Sequence, residues 1–177
     1  MIFLVGGALV LAGALFLFSQ AKARAFERAF PPRGTFVETP LGRLHLTRRD
    51  PQGAPAATIV LIHGASGNQA DMMAPLGDRL AARGFRVFAV DRPGHGYSAR
   101  LAESASSPAA QARAIRAALE TSGVTRAIVV GHSWAGAVAT AFALDQADFA
   151  DGDGDLGELS CATDGLGPRP HHTQVRQ

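Results

Sequence analysis

Three unbroken apolar runs constrain this chain more than any other feature: ATIVLIHG from Ala57 to Gly64, FRVFAVD from Phe85 to Asp91, and RAIVVGHS from Arg126 to Ser133. A strand with one wet face alternates apolar and polar residues. A run without alternation is covered on both faces, as strands are in parallel sheets flanked by helices. Helical patterns fill the gaps. Between Ala70 and Arg83, Met72, Met73, Leu76 and Leu80 fall on one face, and Gly84 ends the pattern. Ser107-Pro108 opens the next helix, with the serine as cap and the proline in the first turn. Ala112, Ile115 and Leu119 form its stripe and Gly123 stops it. After Ser133, WAGAVATAFAL is a helix of small residues suited to close packing on a sheet. The alternation predicts an α/β fold with a doubly wound, mostly parallel sheet. Upstream, Thr35–Glu38 and Arg43–Thr47 alternate around Pro40-Leu41-Gly42 and read as a hairpin.

The 177 residues suit one such domain. Residues 1–20 stand apart. Ile2–Ser19 runs for 18 residues without a charge, and as a helix it would extend about 27 Å, close to the thickness of a bilayer core. No basic residue precedes it, which favours an uncleaved transmembrane anchor over a signal peptide. Lys22, Arg24 and Arg28 follow it, and by the positive-inside rule they favour a cytoplasmic body. Residues 21–34 read as a short polar helix or linker ended by Pro31-Pro32, and residues 35–147 as the α/β domain.

Charge is uneven. From Asp145 onward seven acids face two bases, whereas the rest carries 15 bases and 8 acids. Those bases are scattered arginines without aromatic interleaving, so they read as solvated faces and no nucleic-acid partner is expected. The lone Cys161 excludes an internal disulfide and a cysteine-based metal cluster. No G-x-x-x-x-G-K-[ST] is present, which argues against a phosphate-binding loop.

Chemistry in an open α/β sheet gathers beyond the carboxyl ends of the strands. Three loops leave such ends: HGASGN (63–68), DRPGHGYS (91–98) and GHSWAG (131–136). The last is close to the G-x-S-x-G nucleophile elbow, a turn so tight that residues two before and two after the serine must be small. Gly131 and Ala135 meet that need, with His132 between Gly131 and the serine and Gly136 following. Ser133 would then stand at the top of the sheet on a helix N-terminus that favours developing negative charge. Trp134 N–H supplies one oxyanion donor and Ala65, after His63-Gly64, the second. A serine before a helix is, by itself, equally well an N-cap.

In this order and spacing, VLIHGASGN, VFAVDRPGHGYS and VVGHSWAGAVATAFAL resemble the α/β-hydrolase superfamily, in particular its esterase-, peptidase- and perhydrolase-like branch, several members of which are membrane-anchored in bacteria. The resemblance covers roughly Phe36 to Gln146. It implies a serine nucleophile at Ser133, oxyanion donors at Ala65 and Trp134, an acyl-enzyme formed on a small-molecule acyl substrate and no cofactor; the Ile2–Ser19 span adds the expectation of a single-pass location in a bacterial inner membrane. A serine here argues against dehalogenases and epoxide hydrolases of the superfamily, which place an aspartate there. Asp91, Gly94, Gly96 and Ser98 match a family turn that is mostly structural, and His63 and His95 are loop histidines of the same motifs. The family's base comes late in its chain.

Past Ala147 the sequence is rich in Gly, Asp and Pro, a disordered composition. His171 and His172 are the histidines after Ser133, with Asp148 or Asp164 as paper orienters. A late acid and a late histidine with sheet between them are not recognisable. The expectation is a hydrolase truncated or frame-shifted after the nucleophile helix, with residues 148–177 as its tail and weak or no activity. The competing expectation is a non-catalytic membrane-tethered binding module or an unstable fragment.

Overall fold

The computed structural model describes residues 2–101 and 106–150. The chain forms two compact units, residues 1–33 and 34–177. The first holds one helix, α1 (Ile2–Ala29). It does not break at Ser19: the stretch expected as a short polar helix or linker is helical to Ala29, continuous with the apolar segment, and stops ahead of Pro31-Pro32. Within it, Leu9–Ala29 is long and apolar enough to cross a membrane, by length and composition.

The second unit is built on a five-stranded sheet in the order β1-β2-β4-β3-β5. Strands β1 (Thr35–Thr39) and β2 (Gly42–Arg49) form the expected hairpin, with Thr39 opposite Gly42. Strands β3 (Thr58–Ile62), β4 (Arg86–Val90) and β5 (Ile128–Gly131) are the three apolar runs, parallel to one another, while β2 joins β4 antiparallel. The sheet is mixed and mostly parallel, as expected.

Residues along these strands alternate between two apolar cores. Val60, Ile62, Phe88 and Val90 pack under α4 (Pro108–Thr121) and α5 (Gly136–Asp145), against Ile115, Leu119, Val138 and Phe142. Ile59, Leu61, Val87 and Ala89 face the other way, onto Met72 and Met73. Two covered faces are the reason the runs lack alternation. Ser107 caps α4, its hydroxyl accepting from Ala110 N at 3.2 Å.

The segment expected as one helix from Ala70 to Arg83 differs. It is α2 (Gln69–Met72), a π-helical turn (Met73–Gly77) and α3 (Asp78–Ala81). Pro75 is the cause: proline lacks the N–H for the ladder and its ring clashes with the carbonyl four residues back, and a widened turn absorbs both. The stripe survives, with Met72 and Met73 buried and Leu76 and Leu80 packed on the same cluster.

The folded body also runs three residues beyond Ala147. Phe149 is fully buried and packs on Phe142 with ring centroids 5.9 Å apart. Asp148 binds Arg116 through both carboxylate oxygens, at 2.8 and 2.6 Å, and Ala150 bridges Ala127 in parallel. The remainder of the expected tail, with His171, His172 and Asp164, lies outside the described residues.

Candidate active site

Because β3, β4 and β5 are parallel, the loops leaving them meet at one edge of the sheet. The β5 loop is the tightest. Ser133 has φ +52°, the sole non-glycine residue with positive φ among those described. Such a conformation costs on the order of 1–3 kcal/mol and persists where the surroundings impose it. Here they do. His132 N donates to Ile62 O at 2.9 Å, extending the β3–β5 ladder, and Ala135 N donates to His132 O at 3.0 Å, closing the turn. Residues Ser133–Ala135 form one 3₁₀ turn before α5 begins at Gly136. A Cβ on Gly131 would lie 2.3 Å from Ala135 O, so no side chain fits there. Ala135 is fully buried. Ser133 itself is exposed, and among the described residues no histidine or carboxylate hydrogen-bonds its hydroxyl.

The β3 loop lies beside this turn. A Cβ on Gly64 would come 3.3 Å from Ser133 Cβ and 3.1 Å from His132 Nδ1. Ala65, the next residue, is exposed at the same edge, and so is Trp134. The sequence-expected set of Ser133, Trp134, Ala65 and the small elbow residues therefore lies together at the carboxyl end of the parallel strands.

The loop after β4 supplies what the sequence reading missed. Arg92, expected among solvated arginines, is 2 % exposed. Its Nε donates to His63 O at 2.9 Å, one terminal nitrogen to Gly64 O at 2.9 Å, and the other to Gln111 Oε1 at 3.0 Å. Its guanidinium carbon also lies over the Trp134 ring, 4.5 Å from the centroid. No carboxylate pairs with it among the described residues; carbonyl dipoles and the ring face compensate its charge. Burial pulls its pKa down from the ordinary value. A signal was present: Arg92 follows the last residue of a buried strand run and precedes Pro93, a loop position rather than a polar helix face.

His63 and His95 sit here too. His63 Nδ1 bonds Gly64 O at 2.9 Å and its Nε2 accepts from Arg92 N at 3.0 Å, which defines a neutral Nδ1–H ring. Desolvation lowers its pKa to about 4. With both nitrogens engaged, His63 has no lone pair to offer as a base. His95 Nε2 lies 3.2 Å from the Arg92 guanidinium and 3.1 Å from Ala65 O.

Asp91 is buried away from the elbow. Its carboxylate accepts from Gln69 N at 2.7 Å and Tyr97 N at 3.0 Å and pairs with His45 Nδ1 at 2.8 Å. Burial opposes its ionisation, but these three donors outweigh that and hold its pKa below the usual carboxylate value. A Cβ on Gly96 would lie 2.3 Å from the Asp91 carboxyl, at φ +52°. Asp91 ties the hairpin, α2 and the β4 loop together. Among the described residues no group of three or more His, Cys, Asp or Glu converges to hold a metal ion.

Comparison with known proteins bears on the fold that carries these loops. A sequence profile of the alpha/beta hydrolase fold family matches residues 57–151. A 2-hydroxy-6-oxononadienedioate/2-hydroxy-6-oxononatrienedioate hydrolase of Paraburkholderia phymatum is 41% identical over 95 residues, covering 52% of this chain and 33% of that protein. The magnesium-chelatase 30 kDa subunit of Rhodobacter capsulatus is 33% identical over 124 residues, covering 69% of this chain and 42% of that protein. Among solved structures, a predicted CIB-like hydrolase from Thermoplasma acidophilum superposes with TM-score 0.60 at 27% identity, over 68% of this chain and 59% of that one. The chain spans about a third of the length of the hydrolase relative and under half of the chelatase subunit.

Proposed function

Since the chain belongs to the alpha/beta hydrolase fold family, we propose that it is a serine hydrolase of ester- or amide-type acyl bonds, with Ser133 as nucleophile. The observation that carries this is Ser133 at φ +52° on the β5–α5 turn, with Gly131 packed against Ala135. Ser133 Oγ attacks the acyl carbon of a small substrate and its proton passes to a base. The carbonyl oxygen becomes an oxyanion received by the N–H groups of Ala65 and Trp134, and the positive end of α5 favours that charge. The tetrahedral intermediate collapses to an acyl-enzyme and releases the leaving group. Water then cleaves the acyl-enzyme and restores Ser133.

No base contacts Ser133 among the described residues, and an unassisted serine hydroxyl is a weak nucleophile, so turnover by the described residues alone is slow. Donors aimed at the oxyanion sustain a residual rate without a triad. Helix α1 tethers the domain to a membrane as a single span, with the body on the cytoplasmic side given by Lys22, Arg24 and Arg28. Recovery of the chain in the pellet after alkaline extraction checks the tether.

A fluorophosphonate probe tests the chemistry. Labelling of the folded chain that disappears in Ser133→Ala supports the nucleophile. A second reading, a tethered module that binds without turnover, is favoured by the absence of a base at Ser133 among the described residues; a folded chain that takes no label at any probe concentration selects it.

A further inference from the structure

The Arg92 guanidinium touches the two segments that flank Ser133. It binds the carbonyls of His63 and Gly64, the two residues before Ala65, and it lies under the ring of Trp134, the residue after Ser133. We propose that Arg92 is a positioning residue for the oxyanion site, setting the separation and aim of the Ala65 and Trp134 N–H groups; the proposal rests on the serine-hydrolase reading above.

The backbone shows why a clamp is needed. The 63–68 loop must turn the carbonyls of His63 and Gly64 inward so that the following N–H can face out. Two buried carbonyls directed into the protein require donors, or the loop pays their desolvation. A guanidinium presents N–H groups in a rigid planar fork, and here two of them meet two successive carbonyls, each at 2.9 Å. Gln111 on α4 takes a third N–H at 3.0 Å and is anchored by donating to Ser106 O at 3.0 Å, so the fork is fixed to a helix rather than to the loop alone. The same group also lies over the Trp134 ring, 4.5 Å from its centroid. One group thus joins the β3 loop, the β5 elbow and α4. Arg92's own N–H donates to His63 Nε2 at 3.0 Å, which keeps that ring neutral and locked beneath the loop. A lysine has no fork and no flat face, so it cannot join carbonyls and ring together.

The test compares Arg92→Lys and Arg92→Met with the wild-type full chain in detergent micelles. Two readouts are taken: the fluorophosphonate labelling rate of Ser133 per folded molecule, and the backbone amide resonances of Ala65 and Trp134, with Val60 and Leu61 in β3 as controls. The expected result is labelling about tenfold or more slower in R92M, an intermediate loss in R92K, and shifted or broadened Ala65 and Trp134 amides with Val60 and Leu61 unmoved. A merely structural arginine lowers the folded fraction and moves the amides it touches but leaves the labelling rate at its wild-type value in the molecules that fold, and that outcome overturns the proposal. If R92M does not fold, R92K decides by the same criteria. If the wild-type chain takes no label, the serine-hydrolase reading falls and the proposal with it, whereas wild-type labelling of folded R92M overturns the proposal alone.

Discussion

Asp91 and Arg92 are adjacent in sequence, oppositely charged and both buried, yet they do not pair with each other. Asp91 faces the hairpin side, where His45, Gln69 N and Tyr97 N neutralise it. Arg92 faces the elbow side, where carbonyls, Gln111 and Trp134 receive it. Extended backbone sends successive side chains to opposite faces, and the end of β4 still obeys that alternation. The difference teaches that burial of a charge is no measure of its role. Asp91 holds elements of the scaffold together with groups that lie away from Ser133. Arg92 holds the two segments that flank Ser133.

The comparison breaks most visibly through Asp91→Ala. It strands His45 and two backbone N–H groups in a dry site, and a loss of about 3–5 kcal/mol is expected in denaturant unfolding. The rate of Ser133 labelling per folded molecule should stay at the wild-type value; a matching fall would place Asp91 in the chemistry and erase the contrast with Arg92. Next comes Gly131→Ala, whose new Cβ would lie 2.3 Å from Ala135 O. It should cost about 3 kcal/mol and also abolish labelling, because the clash can be relieved only by opening the elbow. A melting temperature close to wild type would show that the turn is looser than its geometry implies.

Acid separates the two sides without mutation. His63 is bound to Arg92 N and has its folded pKa lowered from 6.5 to about 4. The unfolded chain therefore binds a proton that the folded chain refuses between those values. Stability on that side is full above pH 6.5 and falls as pH drops towards 4, by roughly 3 kcal/mol. Asp91, lowered from 3.8, keeps its contribution down to that value and loses it only as pH falls further. Urea unfolding from pH 7 to pH 3 should show a decline beginning near 6.5 in the wild type and a flatter profile in His63→Gln. An unchanged slope in that variant would remove His63 from the account. The smallest effect is Ser133→Gly, which relieves the φ +52° strain and should stabilise the fold by about 1 kcal/mol while eliminating the label.

Where the sequence was legible, the signal was local. β3, β4 and β5 could be read because burial on both faces writes itself as unbroken apolar runs. The elbow could be read because Gly131, Ser133 and Ala135 answer a steric demand spanning five residues. The reading failed where the cause lay across the fold. The helix over Met72 and Leu80 was expected to be continuous because its stripe is periodic, but Pro75 widened one turn without disturbing the stripe. Phe149 gave no pattern of its own, and its burial depends on Phe142 and on the edge of β5. Arg92 was grouped with solvated arginines because composition records how many charges there are, not which of them face a carbonyl.

By itself the sequence determined the α/β class, the parallel strands, the order of the three loops and the serine on its turn, since each follows from periodicity or from sterics between near neighbours. Only the tertiary structure decided that His63 is neutral and occupied, that Asp91 and Arg92 serve opposite sides of β4, and that one guanidinium joins loops separated by some seventy residues. Those outcomes depend on desolvation and on hydrogen-bond partners brought from distant segments, and neither exists until the strands have paired.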